Sequence, residues 1–229
     1  MKKILCLGCS WTYGAGLSSD KTYPYLLQAM LNDCTVINAG FRGIDIPFTL
    51  YIGEHLIKLL NPDIILFQLT TLDRLTLTTN GKDNFLENMF HDDNHFNATF
   101  DDNNRLEYIN SIPLLITQAA YLEAIERPSA ATSQAIKFLF ENYIFSNQRT
   151  ESIIQSINNF RLTHKDRDVY FFPFLNMHYR TFENISWIRQ DSVINTVGEE
   201  YFIDNGFHLT EEGNNRMVED YILPMLENV

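Results

Sequence analysis

The chain of 229 residues lacks the features that mark several large classes of protein. No apolar run approaches the roughly 18 to 20 residues needed to cross a bilayer, so we expect no membrane span. The apolar stretch after Met1 is too short for a secretion signal and is interpreted as a buried strand. The three cysteines, Cys6, Cys9 and Cys34, are an odd number without disulfide-framework spacing, which favours a reducing compartment. We therefore expect a cytoplasmic protein.

Basic residues are also scarce. The sequence has 17 Lys and Arg against 29 Asp and Glu, a formal net charge of −12 at pH 7. The basic residues form no run that could follow a phosphate backbone, so nucleic acid is not an expected partner. Cys6 and Cys9 have CxxC spacing, but no second pair completes a zinc site, and we expect both to pack in the core. No metal and no cofactor are expected.

The order of apolar segments predicts an α/β protein with a parallel sheet. Strands and helices alternate over the first seventy residues, a strand returns after Asp168, and a last helix begins at Thr210. The predicted strands are Lys3 to Leu7, Thr35 to Asn38, Asp63 to Gln68 and Val169 to Phe172, and the predicted early helices are Tyr23 to Leu31 and Ile46 to Leu60.

The middle of the chain departs from this alternation. Residues Asn80 to Asn104 are rich in Asn and Asp without a regular period, which predicts a long surface loop. The loop contains His91-Asp92-Asp93-Asn94-His95, whose spacing matches no ordered metal site. From Ser111 to about Lys165 the apolar residues have helical spacing. We therefore predict a single domain over residues 1–229, with an inserted loop and helical segment at about 75–165.

Polar residues follow the predicted strands at the edge where open α/β sheets place their ligands. Ser10 follows the first strand, and Gly43 lies in a glycine-containing segment after the second, where a backbone N–H can approach a substrate oxygen. Thr70 and Thr71 follow the third strand. A serine hydroxyl needs an imidazole to take its proton, and His208 before the last helix offers one.

Three further residues are candidates for this site. Asp204, four residues before His208, can orient the imidazole and stabilise its cation. Trp11 and Arg74 are an aromatic and a cation at the same edge, a combination that suits sugars or carboxylates. The alternative is that Trp11 packs in the core and Arg74 pairs with an acid.

These residues resemble the motifs of the SGNH (GDSL-like) hydrolase family. The resemblance implies a flavodoxin-like three-layer αβα sandwich and hydrolysis of esters or thioesters, often on glycans, without a metal. It also implies that Ser10 is the nucleophile, that His208 is the general base, and that Gly43 and the Ser10 amide donate to the oxyanion. The motifs that carry it are Gly8-x-Ser10-x-Thr12-x-Gly14, Gly43, the polar block Gln68 to Arg74, and Asp204 with His208.

Three positions depart from the family pattern. The Asp usual before the nucleophile is Cys9, which should change the hydrogen bonding of the loop rather than the chemical step. The usual oxyanion Asn falls on Leu72, so either Thr70 or Thr71 replaces that donor or the site has lost it. The usual acid falls on Asn205, so Asp204, Asn205 or a backbone carbonyl supports His208.

We expect a serine esterase that forms an acyl-enzyme on small acyl esters, with an O-acetylated carbohydrate as one candidate substrate. The alternatives are an acyltransferase, a non-catalytic glycan-binding or scaffolding protein, and a nucleotide-binding flavodoxin. Oligomeric state is left open.

Overall fold

A four-stranded parallel sheet forms the centre of the protein. The computed structural model describes residues 1–77, 90–91, 95–96, 99–107, 114–116, 131–144, 146–175, 182, 185–203 and 208–227. Its central elements are β1 (Lys2–Gly8), α1 (Ser10–Tyr13), α2 (Tyr23–Met30), β2 (Cys34–Gly40), α3 (Ile46–Leu60) and β3 (Ile64–Leu69). The middle of the chain adds β4 (Leu75–Leu77), β5 (Phe90–His91), β6 (His95–Phe96), β7 (Thr99–Phe100), β8 (Leu106–Glu107), β9 (Leu114–Ile116), α4 (Ala131–Leu139) and α5 (Asn147–Thr163). The remainder comprises β10 (Asp168–Pro173), α6 (Val193–Val197), β11 (Phe202–Ile203), β12 (His208–Leu209), α7 (Glu211–Arg216) and α8 (Leu223–Leu226).

The central strands lie in the order β10-β3-β1-β2. All three pairings are parallel, so the carboxyl ends of the four strands meet at one edge of the sheet. Read from β2, this order matches the first four positions of the flavodoxin-like order 2-1-3-4-5. An isolated parallel bridge between Phe171 and Ile188 stands at the outer side of β10, where a fifth strand would begin.

Helices cover both faces of the sheet. Gly53 on α3 lies so close to Leu7 of β1 and Phe160 of α5 that an added Cβ would approach them to 2.8 and 3.2 Å. The side chain of Tyr23 on α2 lies beside the Cys6 thiol and influences its pKa. Because Cys6 and Leu7 alternate along β1, these two groups of helices lie on opposite faces. The predicted three-layer αβα sandwich is thereby confirmed, and it explains why β1 and β3 are buried on both sides.

The predicted central strands and early helices are confirmed closely, whereas the middle of the chain agrees only in part. All four predicted central strands and both early helices form, with ends shifted by at most two residues. Thr210 caps α7 by accepting a hydrogen bond from the Gly213 N–H, as its position predicted. Helices also form within the predicted segment from Ser111 to Lys165, as α4 and α5.

Two predictions for the middle of the chain are wrong. The helix expected from Ser111 is replaced at Leu114–Ile116 by a strand paired with Leu75–Leu77, because a short apolar run fits a helix and a buried strand equally well. The segment Asn80 to Asn104, expected to be a loop, contributes short antiparallel pairs between β5 and β6 and between β7 and β8. In the described residues, no helix is long and apolar enough to span a membrane.

Candidate active site

Ser10 lies at the carboxyl edge of the sheet, on the one-turn helix that follows β1. Cys9 before it is extended, with φ −95° and ψ −150°, and the chain then turns immediately into α1. Gly14 ends the turn at φ +78°, and its N–H donates to the carbonyl of Ser10 at 3.0 Å. A side chain at Gly14 would be strained there and would also meet Thr22. The half-buried Ser10 is therefore held in a fixed turn.

His208 meets Ser10 from the other end of the chain. Its Nε2 lies 3.2 Å from the Ser10 Oγ, although 198 positions separate the two residues. A general base needs this heavy-atom separation, about 2.6 to 3.2 Å, to accept a hydroxyl proton. His208 occupies the two-residue strand β12, where it is paired with Ile203 of β11.

The helix that follows His208 is anchored to α2. Asn214 of α7 accepts a hydrogen bond from the Tyr23 N–H at 3.0 Å, and its own amide donates to the carbonyl of Thr210 at 2.9 Å. Lys21 and Glu211 add an exposed ion pair at 2.6 Å. These contacts hold the imidazole beside the Ser10 turn. Asp204 and Asn205 lie outside the described residues, so the support of His208 by Asp204 stays a prediction.

Trp11 is a core residue that joins three parts of the site. Its ring stacks on Phe174, which follows β10, at 4.4 Å and an interplanar angle of 3°. Phe174 in turn packs edge-on against Phe202 of the hairpin that carries His208. The guanidinium of Arg74 lies over the Trp11 ring at 5.3 Å, and only 5% of Trp11 is exposed. Trp11 thus has no open ring face for a sugar, and the expected stacking role is not supported.

A buried glutamine fixes the turn on which Ser10 lies. The Gln68 Oε1 accepts hydrogen bonds from the Cys9 N–H at 3.1 Å and from the Thr12 hydroxyl at 3.3 Å, and the Cys9 thiol lies at 3.4 Å. The Tyr23 hydroxyl donates to Thr12 at 3.3 Å. Sequence reasoning placed Gln68 in the polar block after the third strand but gave it no role. A polar residue inside an otherwise apolar strand was the available signal.

The predicted oxyanion donors differ in their surroundings. Gly43 has φ +69°, a conformation that favours glycine, and its N–H donates to no described residue. Thr70 is 2% exposed, and its buried hydroxyl has no hydrogen-bond partner. Thr71 is half-buried, and Leu72 packs against the core, where it has no donor to offer. Of the two threonines, Thr70 is the better replacement for the missing donor.

Unpaired polar atoms concentrate at this edge of the sheet. In the part of the chain that the structure describes, eight buried side-chain atoms form no hydrogen bond, and four of these are arginine Nε atoms, three of which lie within 4 Å of a carboxylate. The other four are the Asn38 Nδ2, the Thr70 Oγ1, the Asp73 Oδ1 and the Arg74 Nη1. Asn38 lies in β2, and the other three residues directly follow β3. Because buried polar groups are normally paired, these four atoms are exceptions, and they belong to strand β2 or to the segment directly after β3.

The segment after β3 is fastened by a buried ion pair. Arg149 of α5 donates to the backbone carbonyls of Leu72 and Arg74, and it lies 3.7 Å from the Asp45 carboxylate. Burial raises the pKa of the Asp45 carboxyl, while hydrogen bonds from Thr76 and Phe48 and the charge of Arg149 oppose that rise. Arg149 was not recognised from the sequence, because it belongs to a helix that the motifs do not cover.

No metal site is evident in the described residues, where no three His, Cys, Asp or Glu side chains form a group that could hold an ion. Side-chain positions in His91 to His95 lie outside the described residues, as does His178. Cys6 and Cys9 are fully buried, in agreement with their expected packing role.

Known structures share this fold. The structure of a protein assigned to the G-D-S-L family of lipolytic proteins, from Desulfitobacterium hafniense DCB-2, is similar with a TM-score of 0.51 at 10% identity, over 96% of this chain and 97% of that one. The crystal structure of TesA is similar with a TM-score of 0.56 at 12% identity, over 99% of each chain. No protein-family profile matches the sequence, and no curated protein matches it significantly. The resemblance to SGNH (GDSL-like) hydrolases is thus confirmed for the fold.

Proposed function

We propose that this chain, which has the fold of the GDSL lipolytic proteins, is a serine esterase that hydrolyses small acyl esters through an acyl-enzyme. The observation that carries the proposal is the 3.2 Å separation between the His208 Nε2 and the Ser10 Oγ. A hydroxyl and an imidazole at that distance form the minimal unit for nucleophilic acyl transfer. Their position at the carboxyl edge of a parallel sheet, beside unpaired polar groups, adds support.

The reaction runs in two halves. The Ser10 Oγ attacks the ester carbonyl carbon while its proton passes to the His208 Nε2, and the carbonyl oxygen becomes an oxyanion. The tetrahedral intermediate collapses, the bond to the alcohol breaks, and the alcohol leaves with the proton from His208. Water then attacks the acyl-enzyme by the same steps and releases the acid. In the proposal, Asp204 accepts a hydrogen bond from the other ring nitrogen of His208.

The oxyanion receives its hydrogen bonds from three groups. These are the N–H of Gly43, the N–H of Ser10 and the hydroxyl of Thr70. The Gly43 N–H has no described partner and the Thr70 hydroxyl is buried without one, so both can donate to a developing charge at no cost in existing hydrogen bonds. Thr70 takes the place of the amide that Leu72 cannot supply.

The proposed substrate is an ester with a small acyl group such as acetyl. A carbohydrate as the alcohol part of the ester stays a prediction. Stacking on Trp11 does not support it, because Phe174 and Arg74 already lie against that ring. If a second hydroxyl compound reacts with the acyl-enzyme faster than water does, the protein acts as an acyltransferase.

Hydrolysis of p-nitrophenyl acetate and butyrate tests the proposal. We expect turnover by the native protein and a loss of at least about 1,000-fold in kcat/KM for Ser10→Ala and for His208→Asn. Thr70→Val should lower kcat by about 100- to 1,000-fold, whereas its neighbour Thr71→Val serves as the matched control with little effect. Unchanged turnover in Ser10→Ala would refute the mechanism. Absence of turnover in a folded native protein would favour a binding or scaffolding role.

A further inference from the structure

The Arg74 guanidinium is held in place without a counter-charge from any residue that the structure describes. Its backbone carbonyl is bound by Arg149, and its guanidinium lies 5.3 Å from the centre of the Trp11 ring. The Nη1 atom is buried and has no hydrogen-bond partner, and no carboxylate lies within ion-pair distance among the described residues. Burying an unpaired cationic donor costs free energy, so this arrangement favours a further acceptor at the Arg74 guanidinium.

Four of the eight described arginines lie within ion-pair distance of an acid, and Arg74 belongs to the other four, with Arg42, Arg161 and Arg189. Other arginines of the described residues do find acids within 4 Å, namely Arg105 with Asp101, Arg149 with Asp45, Arg167 with Asp166, and Arg216 with Glu212 and Asp220. Even Asp73, the neighbour of Arg74 in sequence, makes no ion pair with it, and the Asp73 Oδ1 is itself buried and unpaired.

A second unpaired arginine lies on the other flank of the Ser10 turn. The guanidinium of the exposed Arg42 lies 4.6 Å from the ring of Tyr13, and Arg42 directly precedes Gly43. Within the described ranges, no carboxylate lies within ion-pair distance of Arg42. The one-turn helix that carries Ser10 therefore has a cation over the aromatic ring on each flank, Arg74 at Trp11 and Arg42 at Tyr13. Two arginine side chains thus lie over the aromatic residues of this helix although the chain as a whole has a net charge of −12.

The unpaired atoms at this edge also favour a ligand rich in acceptors. Four buried side-chain atoms at this edge form no hydrogen bond, and three of them are donors, on Asn38, Thr70 and Arg74. The oxyanion of the proposed reaction accounts for the Thr70 hydroxyl, but it leaves the guanidinium without a partner. A planar guanidinium offers parallel N–H groups that fit a carboxylate or phosphate, and an aromatic ring beneath it limits its motion.

We propose that the site takes esters that carry an anionic group, a carboxylate or a phosphate, and that Arg74 binds this group while Ser10 attacks the ester. The inference rests on the proposed esterase function and specifies its substrate class. Arg42, being exposed, contributes to attraction of the anion toward the site rather than to fixed binding.

Matched esters test this inference. The kcat/KM of neutral p-nitrophenyl acetate is compared with that of 4-acetoxybenzoate and of mono-p-nitrophenyl succinate, which carry a carboxylate on the alcohol and acyl side respectively. Each rate is divided by the alkaline hydrolysis rate of the same ester. We expect the native protein to prefer at least one anionic ester by about 10-fold or more. Inhibition constants for acetate and for inorganic phosphate then show whether the site binds a carboxylate or a phosphate more tightly.

Arg74→Met should reduce the ratio of anionic to neutral kcat/KM by about 10- to 100-fold, the value of one charge-assisted contact, and Arg74→Lys should restore part of it. Arg161→Met is the matched control, because Arg161 lies over Trp187 at 5.0 Å with a buried unpaired Nε atom but belongs to α5, away from Ser10. It should leave the ratio unchanged.

The outcomes separate this inference from the proposed function. Equal preference for neutral and anionic esters in the native protein and in Arg74→Met would overturn the anionic substrate class while the esterase function stands. If the native protein hydrolyses no ester, calorimetric titration of Ser10→Ala with monomethyl succinate and with acetyl phosphate still decides the inference. Binding that Arg74→Met abolishes would support it, and binding that is absent or unaffected would refute it.

Discussion

The Arg149 guanidinium and the Asp45 carboxylate lie 3.7 Å apart, with side chains that are 4% and 5% exposed. Asp45 caps α3 through the Phe48 N–H and exchanges two hydrogen bonds with Thr76. Because Arg149 also holds the carbonyls of Leu72 and Arg74, this one pair connects the segment of Gly43 with the segment of Thr70. Two of the three proposed oxyanion donors, Gly43 and Thr70, therefore depend on the same buried contact.

Replacing Arg149 with Met should destabilise the protein and slow the reaction. The change leaves the Asp45 carboxylate buried without its cation, which typically costs about 3 to 5 kcal/mol. Urea unfolding measures the loss, and Asp45→Asn in the same chain should recover part of it. Arg167→Met is the matched control, since Arg167 binds the Pro62 carbonyl and Asn61 at the opposite edge of the sheet. It should lower stability without a change in kcat.

The stability loss in Arg149→Met should depend on pH. Burial raises the pKa of Asp45 above its ordinary value of 3.8, so the folded state binds this proton more tightly than the unfolded state does. Protonation of Asp45 stabilises the folded state fully below pH 3.8, and this stabilisation is lost as the pH rises through the folded-state pKa. The difference in free energy of unfolding between the native protein and Arg149→Met should therefore become smaller as the pH falls toward 4. A gap that widens on acidification would contradict this role of Asp45.

Gln68→Leu should disturb the Ser10 turn. It removes the acceptor of the Cys9 N–H and the Thr12 hydroxyl, and leaving such buried donors unpaired costs about 1 to 3 kcal/mol each. We expect lower stability by urea unfolding and a fall in kcat. Gln28→Leu is the control, because Gln28 also binds two backbone groups, of Cys34 and Val36, but at the other end of β2. Equal effects of both variants on kcat would contradict the positioning role of Gln68.

Gly40→Ala should displace the nucleophile. A Cβ at position 40 would lie 2.6 Å from the carbonyl carbon of Thr12 and would also strike the backbone N of Tyr13, so α1 has to move. Gly53→Ala meets only the side chains of Leu7 and Phe160, which can shift. Both variants should unfold at lower temperature, but only Gly40→Ala should lose most of its kcat. Retained activity in a folded Gly40→Ala protein would show that the packing of α1 against β2 does not position Ser10.

The buried cysteines should be unreactive in the native protein. Burial raises the pKa of the Cys6 thiol far above its ordinary range, and Cys9 is also inaccessible, whereas Cys34 is partly exposed. Titration with a thiol reagent should therefore modify at most one cysteine before unfolding and all three after it. Rapid native labelling of Cys6 or Cys9 would contradict the packing of β1 and of the Ser10 turn.

The sheet and the Ser10–His208 pair were predictable from sequence because their signals are local. Apolar runs such as Ile4 to Leu7 have one stable place in a parallel sheet, and polar residues at strand ends meet at its edge. Arg149 and Gln68 were not assigned roles, since their partners are backbone groups distant in sequence. The strand Leu114–Ile116 was missed for a related reason, because its pairing with Leu75–Leu77 is invisible in a short apolar run.

Covalent labelling of Ser10 tests the central claim most directly. A fluorophosphonate reacts with a serine only when a nearby base activates its hydroxyl, so intact-mass spectrometry of the treated protein reports on the Ser10–His208 pair itself. We predict one adduct on the native protein, mapped to Ser10 by peptide digestion, with no adduct on Ser10→Ala and strongly slowed labelling of His208→Asn. A folded native protein that remains unlabelled, or an adduct that persists in Ser10→Ala, would contradict the account.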